Sequence, residues 1–325
     1  MKTPLPLFFT FADAEQLLKA LSKPLRDRYS AELLRLQQLG LPPLVSWSIL
    51  SVAIGVSPQF ITSILKNKSK YYRVFPISKG KGKKKRIIEA PKVSLKIIQS
   101  WFAYHISLNG NITLSKSAFA FIPGKNGIYE AASVHCGAKW IMSIDLRDFF
   151  HTITSEAVVL ALTEIGYRED QASKLSDLLT LNQRLPQGAP SSPVISNLVF
   201  SKTDFKINEL IADLNVKYTR YADDLTFSSE DESFDINSLK ERIVQILVSD
   251  NWIVADEKLK IAKAPNRLKV HGFLVHEIKP RLTKGYRNKI RAYKHLLNTG
   301  KVVLEDLDKI KGHINYSDYI DRLNE

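Results

Sequence analysis

An α+β fold, an antiparallel sheet backed by helices, is predicted from three features of the 325-residue sequence. Residues 217–221 alternate polar and bulky side chains, Leu225, Thr226 and Phe227 resume the alternation, and Asp223 and Asp224 lie between. Period two on both sides of a short polar break predicts a β-hairpin with the acids at its tip. Trp140, Ile141, Met142, Ser143 and Ile144 form an apolar strand that ends in Asp145. Segments with helical spacing flank both. Consecutive strand residues point to opposite faces, so two adjacent acids share a target only where a turn presents them. An isolated Asp-Asp would be ordinary turn chemistry. A second carboxylate at the end of a buried strand changes the balance, because it is costly unless paired. A divalent cation shared with the hairpin is the obvious partner. Mg²⁺ is usually held by one or two protein carboxylates, and two ions about 3.5–4 Å apart serve phosphoryl transfer.

The elements follow in order. Residues 1–70 read as helical, with helical spacing at 14–21 and 29–39; Gly40, Pro42 and Pro43 end the second helix. Residues 47–54 and 61–65 predict two short helices, Ser57 capping the second and Pro58 at its first position. That pair admits a helix-turn-helix DNA reader or a helical cap on the core; few base-reading side chains on the second helix favour the cap. Residues 72–77 and 86–88 predict strands around 79–86, where six of eight residues are basic and two are glycines that let the backbone turn. Residues 93–108, 128–135, 158–165 and 170–181 read as helices, with a loop at Pro123, Gly124, Lys125 and Asn126. Ser192 caps a long helix with Pro193 at its first position; its apolar stripe runs from Val194 to Leu214 and is core. Residues 235–248 predict a helix and 252–255 a strand. Thr283 caps a helix running to Asn298, with Ile290, Tyr293, Leu296 and Leu297 on one face and Arg287, Lys289, Arg291 and Lys294 making it basic.

The net charge of +14 suits a polyanionic partner such as nucleic acid. A single cysteine, Cys136, excludes an internal disulfide framework and fits a reducing cytosol. The apolar patch at 5–11 is cut short by Asp13 and Glu15, unlike a signal peptide. No run of about 18 apolar residues predicts a membrane span, and the expected location is cytoplasmic.

Three motifs carry a resemblance. Tyr221-Ala222-Asp223-Asp224 resembles the catalytic box of reverse transcriptases. Ser143-Ile144-Asp145-Leu146-Arg147-Asp148-Phe149-Phe150 is similar to their first metal-binding motif, and Leu185-Pro186-Gln187-Gly188-Ala189-Pro190-Ser191-Ser192-Pro193 to the motif between, all in the family's order. The details resemble bacterial retron reverse transcriptases, from about Tyr71 onward and more loosely before it. Two signatures depart from that pattern: Ala131 stands where an Asn precedes Ala132 and His135, and His271 replaces the Thr of a Val-Thr-Gly.

The resemblance implies a right-hand polymerase: a helical N-terminal extension (1–70), fingers (71–140), a palm (141–278, with a fingers-associated segment at about 160–192) and a small helical thumb (279–325). It implies two Mg²⁺ ions held by Asp145, Asp223 and Asp224. Lys258 would protonate the leaving pyrophosphate. Lys84 and Arg86 would grip the triphosphate, Phe150 would exclude a 2′-hydroxyl, and Gln187, Gly188 and Ala222 would line the nucleotide site. The implied reaction is RNA-directed DNA synthesis on a cognate structured non-coding RNA, primed from a 2′-hydroxyl and ending in a branched RNA–DNA product. Deoxynucleoside triphosphates, a separate effector protein in anti-phage defence, and a host RNase H that trims the template are the other implied partners. Two alternatives stay open: another bacterial reverse transcriptase, of a group II intron or a diversity-generating element, and a non-catalytic RNA-binding scaffold.

Overall fold

A computed structural model describes residues 11, 13–78, 80 and 85–325. In chain order the elements are α1 (Ala14–Ala20), α2 (Lys23–Gln38), α3 (Trp47–Ile54), α4 (Pro58–Lys66), β1 (Tyr72–Ile77), β2 (Arg86–Pro91), α5 (Val93–Leu108), α6 (Ile128–Val134), β3 (Trp140–Asp145), α7 (Phe149–Thr152), α8 (Ser155–Glu164), α9 (Glu169–Leu179) and α10 (Ser192–Ile211). There follow β4 (Lys217–Tyr221), β5 (Asp224–Ser229), α11 (Ile236–Ser249), β6 (Lys260–Lys263), β7 (Lys269–Val270), β8 (Phe273–Leu274), β9 (Arg281–Leu282), α12 (Lys284–Asn298) and α13 (Leu304–Asn324). They form two units. One holds the residues up to Ser115 with Asp148–Phe205 and Asp250–Ile253; the other holds Lys116–Arg147, Lys206–Ser249 and Val254–Glu325. Among the described residues no single helix is long and apolar enough to cross a membrane.

The first unit is mostly helical. Side chains of Asp13, Ser46 and Ser57 accept from backbone N–H groups at the starts of α1, α3 and α4. Gly55, at φ +69, ends α3 in the left-handed conformation. α2 starts at Lys23, well before the expected residue 29, because Pro24 suits a first turn whose outward residues carry no apolar spacing. Buried Glu32 on α2 takes Arg35, Arg168 and Gln171, which ties α2 to α9. β1 and β2 pair antiparallel from Tyr72–Pro91 to Ile77–Arg86.

The strand expected at 252–255 does not form. Trp252 instead stacks on Phe149 and packs against Phe200, and its indole N–H donates to Thr203 Oγ1 at 2.9 Å. Its bulk is claimed by an aromatic core, not by a sheet.

The second unit is built on a four-stranded antiparallel sheet in the order β4-β5-β3-β6. β6, outside the strand expected at 252–255, supplies the edge strand. Its sequence, Lys-Ile-Ala-Lys, is polar enough to hide the strand, and an edge beside solvent tolerates that. Register sorts the side chains into two faces. Trp140, Met142, Ile144, Leu225 and Phe227 share one face; Ile141, Ser143, Asp145, Asp224, Thr226 and Ser228 share the other. On the second face, far from the acids, Ile141 joins a core with Tyr129, Ala132, Phe273, Val275 and Ile320. That core binds α6, the small β7-β8-β9 sheet and α13 to the four-stranded sheet.

His135 follows α6 and is fully buried on the same face. Its Nδ1 and Nε2 lie 2.7 Å from Ser228 Oγ and Thr219 Oγ1, so the ring staples β4 to β5. Burial, reinforced by His271 and Lys217, pushes it down to about 3. A folded value below the unfolded one means the unfolded chain binds the extra proton. This contribution is therefore complete above about pH 6.5 and is lost as pH falls from there toward 3. Between pH 7 and 5 it should cost about 2 kcal/mol. In chemical denaturation, His135→Gln should be less stable than wild type at pH 7 and show a correspondingly smaller loss between pH 7 and pH 5.

Candidate active site

Asp145 ends β3 and Asp224 opens β5, and the register sets them directly opposite each other. The hairpin therefore differs in detail from expectation: the two-residue turn is Ala222 and Asp223, and Asp224 already belongs to the strand. Ala222 adopts φ +57, the left-handed value that two-residue hairpins need at that position. The tip is pinned from β3, because Leu146 N–H donates to Asp223 O at 2.9 Å. Asp145 is pinned from its other side, its carbonyl accepting from Ala255 N–H at 2.9 Å. Arg220, also fully buried, points Nη1 toward Ala222 O at 3.4 Å. Asp145, Asp223 and Asp224 thus meet, although 78 residues separate the first from the second along the chain.

The electrostatics of this corner are lopsided. Burial, then the charges of Asp145 and Asp223, push the Asp224 carboxyl up to about 6, against the pull of Lys258 and Lys260. Asp224 Oδ1 is buried and makes no hydrogen bond. Asp145 Oδ1 accepts from Lys258 Nζ at 2.5 Å, so the Lys258 ammonium lies against the acids. Lys258 stands on a 3₁₀ turn, Asp256–Lys258, whose Glu257 pairs with Arg147 at 2.8 Å. Among the described residues no three His, Cys, Asp or Glu side chains already converge in a ligand shell. The acids nevertheless fit a divalent cation on chemistry: three hard oxygen donors with excess negative charge and one unsatisfied buried oxygen.

His271 is a neighbour that sequence reasoning did not place here. It turns the β7–β8 hairpin at φ +47, with Gly272 at φ +88, so both turn residues are left-handed. Its ring packs on Tyr221 with centroids 5.3 Å apart. Nδ1 approaches Asp224 Oδ2 to 3.6 Å, too long for a hydrogen bond. Burial pushes the imidazole down to about 4, which keeps it neutral. The only sequence signal was its departure from Val-Thr-Gly.

The remaining expected residues lie in the other unit. Arg86 opens β2 and is exposed; Lys84 lies outside the described residues. Phe150 is half-buried on α7, and Phe149 is core. Gln187 O accepts from Glu89 N–H at 2.8 Å. Ser192, expected as a helix cap, instead donates its hydroxyl to Pro186 O at 2.8 Å and anchors the same loop. Gly188 has φ +131, and a Cβ there would stand 2.8 Å from Ile88 Cγ2 and 3.1 Å from Glu89 O. The loop can lie against β2 only without a side chain.

The family described as reverse transcriptase (RNA-dependent DNA polymerase) matches residues 77–275. The chain belongs to the reverse transcriptase family. Its likeness is to retron enzymes in particular. It is 30% identical to the Retron Ec86 reverse transcriptase of Escherichia coli, over 87% of each chain. It is 28% identical to the Retron Mx65 reverse transcriptase of Myxococcus xanthus, covering 82% of this chain and 64% of that one, and 29% identical to Retron Mx162 of the same organism, covering 84% and 63%. It thus spans nearly the whole Escherichia coli enzyme and just under two thirds of each Myxococcus enzyme.

Gly188→Ala should destabilise the protein by about 2 kcal/mol or more, since left-handed strain adds to a backbone clash. Thermal melting of the purified variant checks this.

Proposed function

We propose that this reverse transcriptase copies a cognate structured non-coding RNA into DNA, priming from a 2′-hydroxyl of that RNA and leaving a branched RNA-linked DNA. The likeness to retron enzymes supports this reading. The observation that carries the chemistry is the facing pair Asp145–Asp224 with Asp223 at the adjoining turn. These three carboxylates would hold two Mg²⁺ ions, which when bound supply activation of the attacking hydroxyl and neutralisation of the triphosphate.

The chain's own groups do the rest. Lys258, its ammonium already against Asp145, is positioned to carry a proton to departing pyrophosphate. Arg86 and Lys84 are assigned to the triphosphate, which suits a guanidinium that donates two bonds at once. Ala222, with only a methyl group in a tight turn, keeps the tip slim for a primer end. Gln187 and Gly188 form the wall against the base pair, and Phe150 blocks a 2′-hydroxyl. In right-hand terms β1–β2 is the fingers hairpin, the four-stranded sheet the palm, and α12 with α13 the thumb. Basic residues of α12, among them Arg287, Lys289, Arg291 and Lys294, suit a duplex backbone. Action in anti-phage defence with a separate effector, and template trimming by a host RNase H, belong to the same reading.

Asp223→Asn should reduce Mg²⁺-dependent DNA synthesis by more than about 10²–10³-fold while RNA affinity, read by filter binding, stays near wild type. Equal loss of both would identify Asp223 as a folding residue. Retained RNA binding in a wild-type protein that makes no DNA from its co-purified RNA would favour a scaffold. Phe150→Val should raise ribonucleotide incorporation by roughly 10–100-fold, measured by primer extension with each nucleotide class.

A further inference from the structure

Glu89 on β2 has no part in the chemistry above, yet it is a carboxylate only 4% exposed. Such a charge persists where it is paired and hydrogen-bonded. Its Oε1 accepts from Arg184 Nη2 at 3.0 Å, and its Oε2 lies 3.1 Å from His151 Nε2. Both partners adjoin residues assigned to the nucleotide. His151 directly follows Phe150, and Arg184 stands three residues before Gln187. The main chain of Glu89 adds two more constraints: its N–H donates to Gln187 O, and its carbonyl oxygen is what a Cβ on Gly188 would strike.

The segment that carries Phe150 needs such ties. α7 has only four residues and follows Asp148 at φ +50. A single helical turn does not hold itself in water. Phe149 anchors it by stacking on Trp252. The His151–Glu89 contact is a second anchor, made to a different element. Arg184, in turn, is set by a tight turn through Asn182 and Gln183, both at positive φ, and by mutual backbone bonds with Leu181.

We propose that Glu89 is a positioning residue for sugar selection. By holding His151 and Arg184 at once, it fixes how α7 presents Phe150 and how the Gln187–Gly188 loop lies against β2. Exclusion of the 2′-hydroxyl then depends on a carboxylate buried behind the nucleotide wall. The inference rests on the assignment of Phe150 to that exclusion. A buried ion pair is weak support for stability alone; what it supplies here is geometry.

The test compares deoxynucleotide and ribonucleotide incorporation by wild type, Phe150→Val, His151→Ala, Glu89→Gln and Phe150→Val/His151→Ala on the same RNA. His151→Ala leaves the Glu89–Arg184 pair intact, so it keeps the question open if Glu89→Gln folds poorly. His151→Ala and Glu89→Gln should each cut the preference for deoxynucleotides by about tenfold, through a lower KM for ribonucleotides with a smaller change in kcat. In the Phe150→Val background the His151 change should have little further effect, since the two act through one ring. If Phe150→Val relaxes the preference while His151→Ala and folded Glu89→Gln leave it at the wild-type value, the positioning role is overturned. An unchanged preference in Phe150→Val overturns the reading of Phe150 itself, and this inference with it.

Discussion

Two carboxylates face each other across neighbouring strands, and most of the second unit can be read as what holds them there. Like charges directly opposite in an antiparallel pair repel, so Asp145 and Asp224 would drift apart if their strands were free to slip. Slippage by one residue would carry Trp140, Met142, Ile144, Leu225 and Phe227 to the polar face. The apolar bulk of one face thus fixes the position of the charges on the other. His135, stapling β4 to β5, and the core around Phe273 and Ile320 add to the same lock.

Backbone strain gathers at the same corner. Ala222 at the hairpin tip and His271 in the hairpin packed on Tyr221 both hold positive φ. Non-glycine residues stay in that region only where their surroundings over-determine them. At Ala222 the determinants are visible: the flanking strand pair, the bond from Leu146 to Asp223 O, and the buried Arg220 beneath. In the first unit Gly188 shows the complementary device, a residue whose missing side chain lets a loop touch β2.

The two strands that carry the acids were legible in the sequence because period-two patterning and apolar content coincide there. The Ser57 cap of α4 and the run of α5 were legible for similar local reasons. β6 was not, because an edge strand needs no apolar face; the strand expected at 252–255 was misread because Trp252 serves an aromatic core made by residues remote in sequence. Nor was the setting of Glu89 legible, since its partners lie 62 and 95 residues away and nothing local marks a carboxylate for burial.

The sequence by itself determined the family, the three aspartates and the basic character, because each is written in contiguous residues or in composition. Only the tertiary structure decided that Asp145 stands directly opposite Asp224 with Asp223 at the adjoining turn, that Lys258 lies on Asp145, and that His271 sits beside Tyr221. The physical reason is that register and packing are agreements between distant segments, and no one segment carries them.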